Sequence, residues 1–113
     1  MVNSMNKGLR TNIRTVPYIF VNLSKVDKEK EDEYNHWYDE VHMPDALACP
    51  GFLWGERFKS VEYENTYVAL YGLDSPAALQ SDELRAVSGF AHLTQHVEYV
   101  TRLLKGEESG DAS

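Results

Sequence analysis

The stretch Tyr34-Asn35-His36-Trp37-Tyr38-Asp39-Glu40-Val41-His42-Met43-Pro44-Asp45 decides how this chain is read, and it runs on through Cys49-Pro50-Gly51-Phe52 into a strand-like segment. Wound as an α-helix, it sets Tyr34, Trp37, Tyr38 and Val41 on one face, so that three aromatic rings point the same way. His42 falls at the edge of that face, one turn beyond Tyr38 and three residues after Asp39. An imidazole, a phenol and a carboxylate can therefore converge where Pro44 bends or ends the helix, because proline lacks the amide hydrogen that a continuing turn needs. His36 falls on the side away from Val41 and reads as solvated.

Upstream, residues 16–23 carry Val, Tyr, Ile, Phe and Val in quick succession and read as a first strand. Tyr18, Phe20 and Asn22 lie on one face of it, and Ile19, Val21 and Leu23 on the other. Asp27 is the expected N-cap of a helix over 28–42, whose acidic first half reads as a solvated face favoured by the helix dipole. Residues 43–48 offer one more short turn, and Pro50-Gly51 marks a tight one.

Downstream, 52–58 reads as a second strand with Phe52, Trp54, Glu56 and Phe58 on one face. Residues 66–73 are apolar on both faces, as a central strand is, and pair with the second strand as a hairpin. Ser75 and Pro76 open a second helix that is expected to reach Ser88, with Gly89 ending it. The fourth strand is expected over 96–104, where the pattern also fits a helix. The order strand, helix, strand, strand, helix, strand gives an α+β ferredoxin-like βαββαβ fold, a four-stranded antiparallel sheet with its helices on one face. The opposite face is apolar as well, and a second copy of the chain is the expected cover, which makes the protein a homodimer. Residues 1–15 and 106–113 are polar and read as flexible tails, leaving a single domain over 16–105.

At 113 residues, 42% hydrophobic and 26% charged, the chain suits one globular domain with its own core. Eleven basic residues against eighteen acidic ones, for a net charge of −7, disfavour a phosphate-binding surface, so nucleic acid is not an expected partner. No apolar run approaches the roughly 18 residues of a membrane span, and the N-terminal stretch lacks the apolar core of a secretory signal. A cytoplasmic protein without membrane contact is the expectation. Cys49 is the only cysteine. An internal disulfide and a multi-cysteine metal site are thereby excluded, and Cys49 reads as a small packed side chain.

The string Tyr34-x-x-Trp37-Tyr38-Asp39-x-x-His42-x-Pro44, followed by Leu47-x-x-Pro50-Gly51-Phe52 and Arg57-Phe58, resembles the signature of EthD-like proteins of the dimeric α+β barrel superfamily. The motif covers about residues 34–58, and the element order extends the likeness to roughly 16–104. The resemblance implies a dimeric barrel. It also implies membership of a group that includes cofactor-free cyclases, isomerases and lyases acting on small aromatic or polyketide-like compounds, quinone-forming monooxygenases and haem-binding enzymes. By position it carries over His42, with Tyr38 and Asp39 beside it, and no residue of the third or fourth strand.

Read for chemistry, His42 is a general acid/base, since an unperturbed imidazole changes charge near neutrality, Asp39 fixes its tautomer, and Tyr38 donates to a developing enolate or phenolate oxygen. The competing reading makes His42 a cap on the last helical carbonyls and Tyr34, Trp37 and Tyr38 plain core residues. Tyr34 and Trp37 from the helix, with Trp54, Phe58 and Tyr71 from the sheet, are expected to wall a pocket for a small hydrophobic, oxygen-bearing substrate.

His92 and His96 are four apart, a metal-ligand spacing on a helix, but Gly89 and the following strand argue against a continuous helix there, and no metal is expected. No phosphate-binding glycine loop and no nucleophile elbow occurs. The expectation is an enzyme that needs no cofactor, a lyase, isomerase or cyclase. The alternatives are a non-catalytic dimer that binds a hydrophobic metabolite or assists another enzyme, and a monooxygenase, either cofactor-free or with haem held by His42 or His92.

Overall fold

A computed structural model describes residues 16–87, 89 and 91–107. The tail expected at 1–15 lies outside the described residues, as does all but Gly106 and Glu107 of the one at 106–113. The Gly106 N–H donates to the Pro17 carbonyl over 2.8 Å, tying the end of the last strand to the start of the first. Four strands, β1 (Tyr18–Val26), β2 (Phe52–Lys59), β3 (Thr66–Leu73) and β4 (Val97–Lys105), form one antiparallel sheet in the order β2-β3-β1-β4. This is the α+β ferredoxin-like arrangement, with β3 interior as its two apolar faces require. Strand β1 ends three residues later than its apolar run, because Asn22, Ser24 and Val26 continue its buried face while Leu23 and Lys25 face the other way. The Ser24 hydroxyl donates to Asn22 Oδ1 over 2.6 Å, which satisfies two polar groups inside the core.

The helical layer is more broken than the sequence suggests. A 3₁₀ turn (Lys28–Lys30) leads into α1 (Glu31–Trp37), a π-helical turn (Tyr38–His42) and α2 (Met43–Leu47). Asp27 stands at the N-terminal end, but its carboxylate makes no capping bond and lies 3.0 Å from His96 Nδ1 instead. The second helix, expected over 76–88, is two short pieces, a 3₁₀ turn (Pro76–Gln80) and α3 (Asp82–Arg85). Ser81 separates them. Its backbone is extended and its hydroxyl accepts from Leu84 N, so it starts a new helix where the apolar pattern implied continuation. Ser75 caps the first piece as expected, accepting from Ala77 N over 3.2 Å. Ser88 lies outside the described residues. A further 3₁₀ turn (Ala91–His96) leads into β4.

The core lies between the helices and one face of the sheet. It joins Tyr34, Trp37, Tyr38 and Ala46 to Tyr67, Ala69, Tyr71 and Leu73. Gly51 makes the turn into β2 at φ +89°, where a side chain would meet Ala78 and Asp74. A β-bulge between Phe52 and Trp54 then changes the alternation of β2. Phe52 stays on the helix side, edge-on to the Tyr71 ring at 5.6 Å between centroids. Trp54 packs over Gly72 on the opposite side, followed there by Glu56 and Phe58, while Gly55 and Arg57 face the helices. The single face expected for Phe52, Trp54, Glu56 and Phe58 is thus split by the bulge. Among the described residues no helix is long and apolar enough to cross a membrane.

Candidate functional site

The helix does not stop at Pro44. It widens one turn earlier, with the Met43 N–H donating to the Tyr38 carbonyl five residues back. Pro44 then falls in the first turn of α2, just past the widened turn, where it has no N–H to give to the carbonyls behind it. The wider turn also re-aims side chains. Val41, expected on the buried face, is 41% exposed, whereas His42 and Met43 are partly buried and Ala46 is fully so. The extra residue in the turn rotates Val41 outwards and keeps His42 on the face that meets the sheet.

There His42 borders a cavity of about 280 Å³ between helices and sheet. Phe20, Phe52 and Tyr71 rise into it from the sheet, Ala46 joins His42 from the helical side, and Leu79 and Leu84 come from the pieces that follow β3. The imidazole stacks on Trp37, with centroids 4.7 Å and planes 23° apart, and meets the Tyr38 ring edge-on at 5.0 Å. Two aromatic rings thus fix its plane. Within the described lining, His42 and Tyr71 are the two polar side chains among apolar ones.

Tyr71 donates to Tyr38 across 3.2 Å in a buried phenol pair. Burial, which penalises the phenolate, pushes the Tyr71 hydroxyl up to about 12 and Tyr38 further still. The positive charge of Arg57 pulls both back in part. At neutral pH both are proton-bearing donors, and Tyr71, the easier to ionise, is the one that faces the cavity. Tyr38 supports it from behind and does not border the cavity, a different place from the one its helical position implied.

Asp39 is engaged elsewhere than expected. It is 58% exposed, and its Oδ1 accepts from Arg57 Nη1 over 2.7 Å, so its observed ionic partner is a strand arginine. Arg57 Nη2 donates to Asn35 Oδ1 over 2.8 Å, Asn35 Nδ2 donates to the Tyr67 hydroxyl over 3.0 Å, and that hydroxyl donates to Glu31. Glu31 is held below its usual carboxylate range, chiefly by the Tyr67 hydrogen bond, with Lys59 3.4 Å away adding to it. The guanidinium carbon of Arg57 sits 4.6, 5.2 and 5.5 Å from the ring centroids of Tyr38, Tyr67 and Tyr34.

Of the residues expected to wall the pocket, Tyr71 does so, Trp37 supports His42, and Tyr34 lies behind in the core. Trp54 and Phe58 are on the other side of the sheet, because the bulge turned them there. Trp54 Nε1 is buried with no hydrogen-bond partner among the described residues. His92 and His96 lie on a 3₁₀ turn, where positions four apart do not share a face. His92 stands edge-on to Trp37 at 5.9 Å and 3.7 Å from Glu33, while His96 turns to Asp27. Asp27, Glu29 and His96 bring ligand-type atoms within 4.8 Å of one another at the exposed end of β1, and none of the three borders the cavity. Cys49 is buried, with its thiol pushed up by burial, as a packed side chain would be.

Phe20, Ala46, Leu79 and Leu84 line the cavity without having been singled out in the sequence, and Phe52 and Arg57 stood in the motif without a role at the site. Arg57 had a usable signal in its place in the motif that ends at Phe58, but alternation without the bulge directed it away from the helix.

No protein-family model matches the chain, and no curated protein matches it. Solved structures do. SnoaB, a cofactor-independent oxygenase from Streptomyces nogalater, in a single-substitution variant, superposes with a TM-score of 0.67 at 18% identity, over 83% of this chain and 96% of that one. An antibiotic biosynthesis monooxygenase gives 0.65 at 14% identity, over 80% and 98%. A conserved protein from Methanosarcina mazei Go1 gives 0.65 at 14%, over 85% and 99%. At these identities the likeness is one of fold. The chain shares the architecture of antibiotic-biosynthesis-monooxygenase-like proteins over nearly the whole of each.

Proposed function

We propose that the chain is a small cofactor-independent enzyme that moves a proton on a flat, oxygen-bearing hydrophobic substrate, with His42 as acid/base and Tyr71 as the donor to the substrate oxygen. One observation carries the reading. His42 and Tyr71, brought from a helix and a central strand, border the same apolar cavity. The aromatic and leucine walls hold a ring and exclude water. A neutral imidazole accepts a proton from a carbon made acidic by a neighbouring carbonyl or phenol, and the negative charge moves to that oxygen. Tyr71 then turns its hydrogen to the oxygen, and Tyr38 turns to donate to Tyr71, so that two aligned dipoles receive the charge. Returning the proton to another carbon completes an isomerisation, and expulsion of a group or attack on a second carbonyl makes the same step a lyase or cyclase reaction.

Oxygenation is the second reading, supported by fold neighbours described as a cofactor-independent oxygenase and a monooxygenase. It begins with the same proton removal. The cavity, about 280 Å³, stands at the small end of ligand sites and suits a one- or two-ring substrate. The motif from Tyr34 to Phe58 supports an EthD-like protein, a narrower assignment than the shared fold. The homodimer is part of the proposal too, because Leu23, Phe58, Val100 and Leu104 are partly exposed on the sheet face away from the helices.

The test is hydrogen–deuterium exchange followed by NMR, with a panel of one- and two-ring hydroxylated aromatic ketones in heavy water, with and without oxygen. Exchange that His42→Ala abolishes supports the reading, and oxygen consumption coupled to it selects the oxygenase branch. Ligands that bind without exchanging, and bind the His42→Ala variant equally well, would instead identify a binding protein.

A further inference from the structure

We infer that Arg57 is a positioning residue of this site, one that aligns and charges the Tyr38–Tyr71 pair from behind without reaching the cavity. The inference rests on the proton-transfer reading above. Arg57 is not part of the cavity lining, and its side chain is only 12% exposed. Its two terminal nitrogens grip Asp39 and Asn35, which lie one helical turn apart. That fork fixes the helical segment carrying Tyr38 and His42 to the strand beside the one carrying Tyr71.

The same grip lays the guanidinium near the Tyr38 ring, 4.6 Å from its centroid, with the Tyr38 oxygen 3.2 Å from that of Tyr71. A cation at that distance favours negative charge arriving on the phenol oxygens. Asp39 offsets it incompletely, since the carboxylate is largely in water while the guanidinium is not.

Among the described residues, Tyr34 and Trp37 lie against Tyr38 from α1, each at 5.5 Å, His42 from the π turn at 5.0 Å and Arg57 from β2, while Phe20 and Phe52 add apolar rings beside Tyr71. Among these, Arg57 is the one with a permanent charge. Its removal should weaken donation to the substrate oxygen as that oxygen becomes negative, and leave ground-state binding nearly untouched.

The experiment places a fluorinated tyrosine, which ionises at lower pH than tyrosine, at position 71 and follows its ionisation by fluorine NMR. Arg57→Gln should move the midpoint up by roughly one pH unit, Arg57→Lys should restore part of the shift, and Asp39→Asn should move it down. In the exchange assay on the natural side chain, Arg57→Gln should lower kcat roughly tenfold with KM little changed. Midpoints that stay in place in both Arg57→Gln and Asp39→Asn, with only the melting temperature lowered, would make Arg57 a structural clamp and overturn the inference. Should Arg57→Gln not fold, Arg57→Lys and Asp39→Asn still decide it, since the latter must shift the midpoint in the opposite direction. Midpoints that move as expected while no substrate exchanges would uphold the coupling of Arg57 to the phenols and remove the proton-transfer reading alone.

Discussion

Tyr71 and Tyr38 share a hydrogen bond of 3.2 Å inside the core, and they join the central strand to the helical turn that carries His42. The pair makes stability depend on pH at the alkaline end. Burial raises Tyr71 from 10.0 to about 12, so the folded state holds this proton more tightly than the unfolded chain does. Its contribution is fully present below pH 10 and is lost as pH rises through about 12, a fall of about 3 kcal/mol from this group. Urea unfolding at pH 8, 10 and 11 should show stability level at first and then declining. Tyr71→Phe should be less stable at pH 8 by roughly 0.5–1.5 kcal/mol, because the hydrogen bond from Tyr71 to the Tyr38 hydroxyl is lost, and should show a shallower decline above pH 10. An equal decline in both proteins would dissociate Tyr71 from the alkaline transition.

His42→Ala should reduce catalysed proton exchange by about 10²–10⁴. The stability cost should be modest, roughly 1–2 kcal/mol, since the residue is half-buried and its ring contacts with Trp37 and Tyr38 are lost. Thermal melting and exchange measured on the same preparation separate this from the capping role, which predicts lost stability and no kinetic effect.

Gly72 is fixed by Trp54. A Cβ built at Gly72 would come within 2.6 Å of the indole Nε1 and Cε2. Gly72→Ala should therefore destabilise by about 1–3 kcal/mol through overpacking. Adding Trp54→Leu to it should recover part of the loss, a coupling that a double-mutant cycle of unfolding free energies measures. Strict additivity would mean that the glycine is needed for some other reason.

A charge at the sheet face away from the helices should divide the proposed dimer. Light scattering should give twice the chain mass for the native protein and the single mass for Val100→Glu, whose parent side chain is 49% exposed. A monomer before substitution would remove the dimer from the proposal.

The fold was largely legible because alternation and turn residues are local. Val, Tyr, Ile and Phe in β1, the doubly apolar β3, Ser75-Pro76 and Pro50-Gly51 each act on their own neighbourhood, and their order leaves few ways to form the sheet. The break at Ser81 was less legible, since a serine can stay within a helix or cap a new one, and the apolar pattern around it suits either.

Residues 34–45 by themselves determined that a histidine, two tyrosines and a tryptophan lie together at the end of one helix, for 3.6-residue periodicity needs no partner to be read. Only the tertiary structure decided which of them meet. The π turn rotated Val41 out and kept His42 at the cavity, the bulge after Phe52 sent Trp54 and Phe58 to the far face and brought Arg57 in, and Tyr71 came from a distant strand to donate to Tyr38. Each of these is a shift of one residue in register or a contact between helix and sheet. Packing of the whole layer selects among such arrangements, whereas the local sequence allows several at nearly equal cost.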